Sequence, residues 1–521
     1  MFINRTILIL IPVVLLLCGN VCAQDFGFGF DDEDETVSSR PVTLKAGGEI
    51  ILQTTPFFND IGKKTQASLE NIQEMTFANL KLNFSVSGSN VEFLSVFNLN
   101  PSSISELWSL SPVLKNANYT PLFIDEVFLR SYMGSFNIEA GFRKLSWGRA
   151  DSGGPLDVTN PIDFSDLRNI TDTRARKIAR PMIHATWNAN NFSKLEGVII
   201  PNFYAHRFAV DGRWAPSQYT NMMTTAEAGI TLRANEKTAE ILSNPALAAI
   251  LNPVFDNARA NLLAHFNNYQ LEYPKTSGLK YFQAGLRYTT TIGSADIGAQ
   301  YFFGNLFRPN FTIAGVDDYL DDLITGISTP LPPFPVNPTY EGNPTLLSPQ
   351  IKYTRYHQFG IDYAQVLFGF NIRAEFAFFL TEDYSGDDGS LKNPFIGWSL
   401  GFDRNVIWGI NMNLQCNETI RLFNSKVGNN SALDTEADTN ITSTRLTLQL
   451  SRKFFRDNLE SKAVIIWDIE DSGVYIIPAV FLTSGDLIYE LSAGIFAGNK
   501  ESELGQYRGN SFLKLGLSYT F

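Results

Sequence analysis

Cysteine is nearly absent. The 521 residues contain three, of which Cys18 and Cys22 lie in an apolar N-terminal stretch. Cys416 is left alone, and one thiol closes no internal disulfide, so the fold is not stapled. Histidine is as scarce: His184, His206, His265 and His357, no two at metal-ligand spacing. HExxH, a glycine-rich phosphate loop and Gly-x-Ser-x-Gly are missing too. These absences argue against an enzyme and against any metal or cofactor. After Ala23 no run of about 18 apolar residues occurs, which excludes a membrane helix. Positive charge is also short, 41 Lys and Arg against 53 Asp and Glu for a net charge of −12, which argues against a nucleic-acid partner.

The N-terminus reads as an export signal over residues 1–23, removed in the mature chain. Arg5 gives the positive region, Ile7 to Leu17 the apolar region, and Val21-Cys22-Ala23 the cleavage positions. Bulky Leu17 before Cys18 argues against lipidation. Residues 24–41 hold the block Asp31-Asp32-Glu33-Asp34-Glu35 and read as an acidic, flexible periplasmic tail.

What the chain has in abundance is alternation. In its last nine residues Leu513, Leu515, Leu517, Tyr519 and Phe521 alternate with Lys514, Gly516, Ser518 and Thr520. A strand turns alternate side chains to opposite faces, so one face is apolar and the other wet. In a barrel within lipid the apolar face points outward and the polar face lines a lumen. A terminal strand ending in Phe521 resembles the C-terminal signal by which barrel-assembly machinery recognises bacterial outer-membrane barrels. Segments of strand period recur from Val42 onward, among them 80–86, 136–142, 282–288, 368–378 and 408–416. Short turn signals (Gly134-Ser135, Gly293-Ser294, Ser484-Gly485) alternate with long polar connections. That is the wiring of an outer-membrane barrel with both termini periplasmic. The walk predicts an all-β, transmembrane antiparallel β-barrel over 42–521 with about 18 strands. Sixteen also fits, because 91–99, 181–189 and 193–202 have weak period.

Two connections stand out. Residues 203–277 include a helix-forming stretch with Asn-Pro breaks at 244–245 and 252–253, predicting two or three short helices that cap the mouth or plug the lumen. Residues 304–350 form a Pro-rich loop.

The segment 138–180 runs Gly141-Phe142-Arg143-Lys144-Leu145-Ser146-Trp147-Gly148-Arg149, then Asp157-Val158-Thr159-Asn160-Pro161-Ile162-Asp163, then Arg174-Ala175-Arg176-Lys177-Ile178-Ala179-Arg180-Pro181. It resembles a broad group of outer-membrane β-barrel, porin-like proteins of diderm bacteria, similar in plan to alginate-export type porins. The resemblance implies a solute channel of about 18 strands. The dense arginine ladder of the alginate-export pattern is absent here.

Trp147, at a strand end, is expected in an aromatic girdle at the membrane interface. Lys81, Arg130, Glu139, Arg143, Arg287, Arg373, Glu375, Arg445 and Lys514 fall on the wet face and are expected to line the lumen and set its selectivity. Arg174, Arg176, Lys177 and Arg180 are expected in a loop that folds inward as a positive constriction. The expected function is a channel in the outer membrane for small hydrophilic or charged solutes, with lipid, the assembly machinery and a small-molecule solute as partners. The alternatives are a surface adhesin or scaffold acting through the long loops, and uptake of hydrophobic solute.

Overall fold

A computed structural model describes residues 42–60, 76–100, 123–151, 153–209, 211–268, 274, 276, 278–328, 337, 339–431 and 433–521. The expected signal and acidic tail lie outside these residues. Among them, eighteen strands form one sheet: Thr43–Thr54, Thr76–Ser87, Val91–Leu99, Ile124–Met133, Phe136–Arg143, Arg180–Asn188, Ser193–Ile200, Gln283–Ile292, Ala295–Asn305, Arg355–Leu367, Phe370–Thr381, Phe395–Asn405, Asn411–Arg421, Thr442–Phe454, Leu459–Asp468, Gly473–Ser484, Leu487–Gly498 and Phe512–Thr520. Each pairs antiparallel with its sequence neighbours, and the last pairs with the first, Leu52 opposite Leu517 and Ile50 opposite Tyr519. The sheet is therefore a closed 18-strand barrel, and the sixteen-strand reading falls.

Closure is what lipid demands. An open edge in hydrocarbon would strand backbone N–H and C=O groups at several kcal/mol each. The strand period supplies the rest: Leu129, Leu286, Phe359, Ile361, Leu491 and Leu515 stand exposed on the outer wall. Cys416 lies between Leu400 and Leu446 on that wall. At the seam, the Gly48 N–H donates to Phe521 O at 2.9 Å and the Phe521 N–H donates to Gly48 O at 3.0 Å. A Cβ at Gly48 would lie 2.5 Å from Lys81 O and 2.6 Å from the Phe521 ring. Gly48→Val is therefore expected to cost at least about 1–3 kcal/mol by overpacking the seam. The fraction of compact barrel on an unheated detergent gel should fall, and an unchanged fraction would refute this.

Three details depart from the sequence pattern. Phe368 and Trp408, expected on strand faces, sit in turns with φ of 54° and 61° and are largely exposed. With Phe192 and Phe455, they give the short-turn rim its ring of exposed aromatic residues. Residues 469–472 form a tight connection at the rim where the others are long.

The long rim carries the helices Met222–Leu242, Pro245–Asn268 and Val316–Ser328. The chain breaks at Asn244-Pro245, where the Asn244 side chain accepts from the Ala246 N–H at 3.0 Å and Pro sits at the first helical position, which needs no N–H. It does not break at Pro253, which lies inside the second helix. Burial of Leu251, Val254, Phe255 and Ala258 on one face holds that helix together across the missing donor. Ile230, Ala258, Leu262, Phe266, Tyr319 and Leu323 share one apolar core, and the Tyr319 hydroxyl donates within it. All of these core residues belong to long connections and none to the eighteen strands, so the helices pack chiefly on one another.

Candidate functional site: the lumen and its inward loop

The strand Phe136–Arg143 ends where the Asn160 side chain ties two legs of a loop together. Its carbonyl accepts from the Leu145 N–H at 2.8 Å, and its amide donates to Arg143 O at 2.9 Å and Ile178 O at 3.0 Å. The Thr159 hydroxyl donates to Leu145 O at 2.7 Å. Lys177 crosses the same neck to Asp157 at 2.6 Å and Leu145 O at 3.0 Å. The Thr-Asn-Pro motif thus ties the legs of the loop over residues 144–179.

From this neck residues 148–156 reach the opposite wall. Buried Glu375 accepts the backbone N–H groups of Arg149, Ala150 (2.6 Å) and Leu156 (3.3 Å). Gly148 and Gly154 make room for this, because a Cβ at either would collide with the Glu375 carboxylate. Asp151 is clamped by Arg373 and Asn413, and its N–H donates to Gln415 at 2.9 Å. Arg149 pairs with Asp362 at 2.8 Å and Asp296 at 3.2 Å. Gln300 and Gln358 donate to Leu156 O and Pro155 O. Trp147 goes in with the loop: it is buried edge-on against Phe302, 6.2 Å between centroids. The girdle position expected for it is wrong, because the chain turns inward before the tryptophan reaches the interface.

The loop then crosses back. Leu167 O accepts from the Tyr475 hydroxyl at 3.2 Å, and the Asn169 side chain accepts from Lys514 at 2.7 Å. Asp163-Phe164 pairs in parallel with Arg207-Phe208, which draws the segment 203–217 into the mouth. There Trp214 packs among Phe57, Phe496, Tyr507 and Phe512. His206 is pressed between these segments. Burial, with Arg308 and Arg176 nearby, pushes its pKa well below the usual value, so the neutral ring accepts the Ile162 N–H at Nδ1, 2.8 Å away.

Between this double layer and the strands near the seam lies a cavity of about 1640 Å³. Lys81, Lys514, Arg168, Lys462, Asp125 and Glu490 are among its lining residues. Of the wet-face residues singled out from sequence, Lys81 and Lys514 meet there, Lys514 paired with Glu490 at 2.8 Å. Arg130, Glu139 and Arg143 form a ladder on the wall. Glu139 holds Arg130 and Arg143 at 2.7 Å each, and His184 lies 3.1 Å away. Arg287 pairs with Asp362 at 2.6 Å, whereas Arg373 and Glu375 hold the loop. Of the basic residues expected in the loop, Arg176 and Lys177 face the cavity, while Arg174 is exposed and paired with Glu126 at 2.8 Å. Arg180 is the first residue of a strand. Arg149, Asp151 and Asp362 were not anticipated. Asp362 shares the wet face of its strand with Gln358, so period could have found it.

At the mouth Arg445 joins Asp468 (2.6 Å) and Glu503 (3.3 Å), and Glu503 pairs with Arg308 at 2.6 Å. The Arg308 guanidinium, followed by Arg445, holds the Glu503 pKa down at about 2. A depressed carboxylate contributes stability that is full above its unfolded pKa and lost as pH falls through the folded value. The Glu503 link is therefore expected to weaken from the ordinary carboxylate range of about 4.3 down to about 2. Thermal midpoints across that range should fall less steeply in Glu503→Gln than in the parent; equal slopes would refute it.

No family model matches the chain, and no curated protein matches its sequence. Solved structures similar to it include a BenF-like porin from Pseudomonas fluorescens Pf-5, at 9% identity and a TM-score of 0.40 over 92% of this chain and 98% of that one. OpdL of Pseudomonas aeruginosa aligns at 6% identity and 0.41, over 92% and 98%. Wzi, a carbohydrate-binding β-barrel involved in group 1 capsule assembly in Escherichia coli, aligns at 9% and 0.40, over 92% and 85%.

Proposed function

We propose that this barrel is a porin-like channel of the outer membrane, passing small hydrophilic or charged solutes by diffusion. The observation that carries the reading is the inward loop 144–179. It is pinned across the lumen by Glu375, Arg373 and Asp362 beside a cavity of about 1640 Å³ whose lining includes charged side chains of both signs. A scaffold or adhesin needs no polar lumen, and a loop held inward by buried polar contacts has nothing to offer an external partner. In a lumen, a fixed loop narrows the path and sets which charges a solute meets. The lining carries both signs. Lys81, Lys514 and Arg168 have carboxylate or amide partners. Lys462 has no carboxylate within 4.0 Å among the described residues and gives the cavity an unbalanced positive charge.

Full-length protein, refolded and added to planar bilayers, should give discrete conductance steps with a reversal potential that shifts in a salt gradient. Absence of steps from pure, compact barrel would overturn the channel reading. Lys462→Glu should move the reversal potential toward cation preference while leaving the loop in place.

A further inference from the structure

On the outer wall one row of side chains is small where its neighbours are large. Ala463, Pro478 and Ala493 hold the same level on three successive strands. Leu450 stands opposite Ala463 on one flank and Leu513 opposite Ala493 on the other. The strands Gly473–Ser484 and Leu487–Gly498 pair as far as Ile476 opposite Ile495 and resume in the same register at Ala479 opposite Ser492. The pairs missing between them are those whose bond would need an N–H from Pro478, which has none. The small row lines a groove of about 640 Å³ together with Leu450, Phe454 and Leu513.

Arg452 lines the same groove. It follows Leu450 by two residues, so it shares the outer face of its strand. Its side chain is exposed, with the guanidinium carbon 4.7 Å from the centre of the Phe454 ring. The strand ends at Phe454, which puts Arg452 near the short-turn rim.

Hydrocarbon that passes over a dent forfeits dispersion contacts, and a chain that enters it regains them. An outward arginine near the interface is tolerated where it finds a polar partner, and its planar fork matches the oxygens of a phosphate. A phospholipid brings an apolar chain and a phosphate in one molecule. Net negative charge on its headgroup complements the arginine.

We propose that the groove at Pro478 is a site for one anionic phospholipid, its phosphate on Arg452 and one acyl chain against Ala463, Pro478 and Ala493. The chain covers the point at which the ladder lacks a bond. Lys462, Ala479 and Ser492 line both this groove and the 1640 Å³ cavity, so only the strand layer separates the lipid from the lumen there. The inference requires that this wall face lipid and does not depend on what the lumen passes.

The test is native mass spectrometry of the refolded full-length barrel in non-ionic detergent, titrated with dioleoyl phosphatidylglycerol or, as a zwitterionic control, dioleoyl phosphatidylcholine. Wild type should retain one phosphatidylglycerol with saturable binding, and should bind phosphatidylcholine more weakly. Arg452→Gln should raise the half-saturating phosphatidylglycerol concentration roughly fivefold, equivalent to about 1 kcal/mol. Ala463→Phe fills the groove and should abolish the saturable step. Arg404 also faces outward near this rim, over the Phe370 ring, but lies outside the groove, and Arg404→Gln should bind as wild type does. No saturable binding by wild type overturns the proposal. So do equal affinities for the two lipids, equal weakening in Arg452→Gln and Arg404→Gln, or undiminished binding in Ala463→Phe. If Ala463→Phe yields no compact barrel, the comparison of Arg452→Gln with Arg404→Gln decides. Conductance plays no part in this readout, so a barrel without channel steps would leave the lipid site intact.

Discussion

Glu375→Ala is expected to release the inward loop and raise single-channel conductance several-fold. The side chain is buried and accepts three backbone N–H groups from residues 149–156. Removing it leaves three donors without a partner, at about 1–3 kcal/mol each where water cannot reach. It also opens a void where Gly148 and Gly154 had been shaped to the carboxylate. The clamps at Arg149 and Asp151 and the Gln300 and Gln358 bonds to Leu156 O and Pro155 O remain, at the two ends of the stretch that Glu375 holds. The freed loop should sample the lumen, so current traces should become noisier as well as larger. Glu375→Gln is the graded control. Its carbonyl can keep the Arg149 and Ala150 donors while its amide faces the Leu156 N–H, so its effect should be smaller. A conductance in Glu375→Ala equal to wild type, with the barrel still compact, would mean that the loop does not limit the path.

The second large effect is expected at Trp214. Its ring, buried among Phe57, Phe496, Tyr507 and Phe512, anchors the segment 203–217 in the mouth. Tyr507 donates to Trp214 O at 3.2 Å and Asn510 to Arg213 O, but these backbone contacts depend on the segment being seated. Trp214→Ala should cost about 3–5 kcal/mol. That is enough to turn a seated segment into one that opens often while the barrel itself stays closed. Limited proteolysis should then cut within 203–217 in the variant and spare it in the parent. If the variant resists protease as well as the parent and its midpoint is unchanged, the mouth is held by something else.

The wall was legible in the chain because each strand announces itself. A period of two needs no knowledge of neighbours, so Leu513 to Phe521 could be read alone. The errors came where an apolar residue had another reason to be apolar. Phe368 and Trp408 belong to the rim rather than to a strand face, and Trp147 belongs to the inside of the lumen. The interior was much less legible. Glu375 looks like any wet-face carboxylate, and what sets it apart is three backbone donors, which carry no residue signature. The Thr-Asn-Pro run at 159–161 stood out as a motif, yet its work is structural, tying the legs of a loop. Arg180 was visible as one of a basic cluster. That its guanidinium has no hydrogen-bond partner among the described residues is a property of packing, which alternation does not encode.

The pin also fixes an order of events. Arg149 reaches Asp362 across 213 residues of chain and Asp151 reaches Gln415 across 264. Neither contact can exist until the strands that follow are in place, and joining such distant points is slow because the chain must first close a very large loop. These contacts are therefore made only after the strands that carry Asp362, Glu375 and Gln415, by a segment that precedes them in the chain. A wall paired one residue out of register would turn Glu375 and Asp362 to the other face, leaving the segment with nowhere to dock. The narrowed lumen is thus a record that the strands from Gln283 to Arg421 were assembled in their proper alignment.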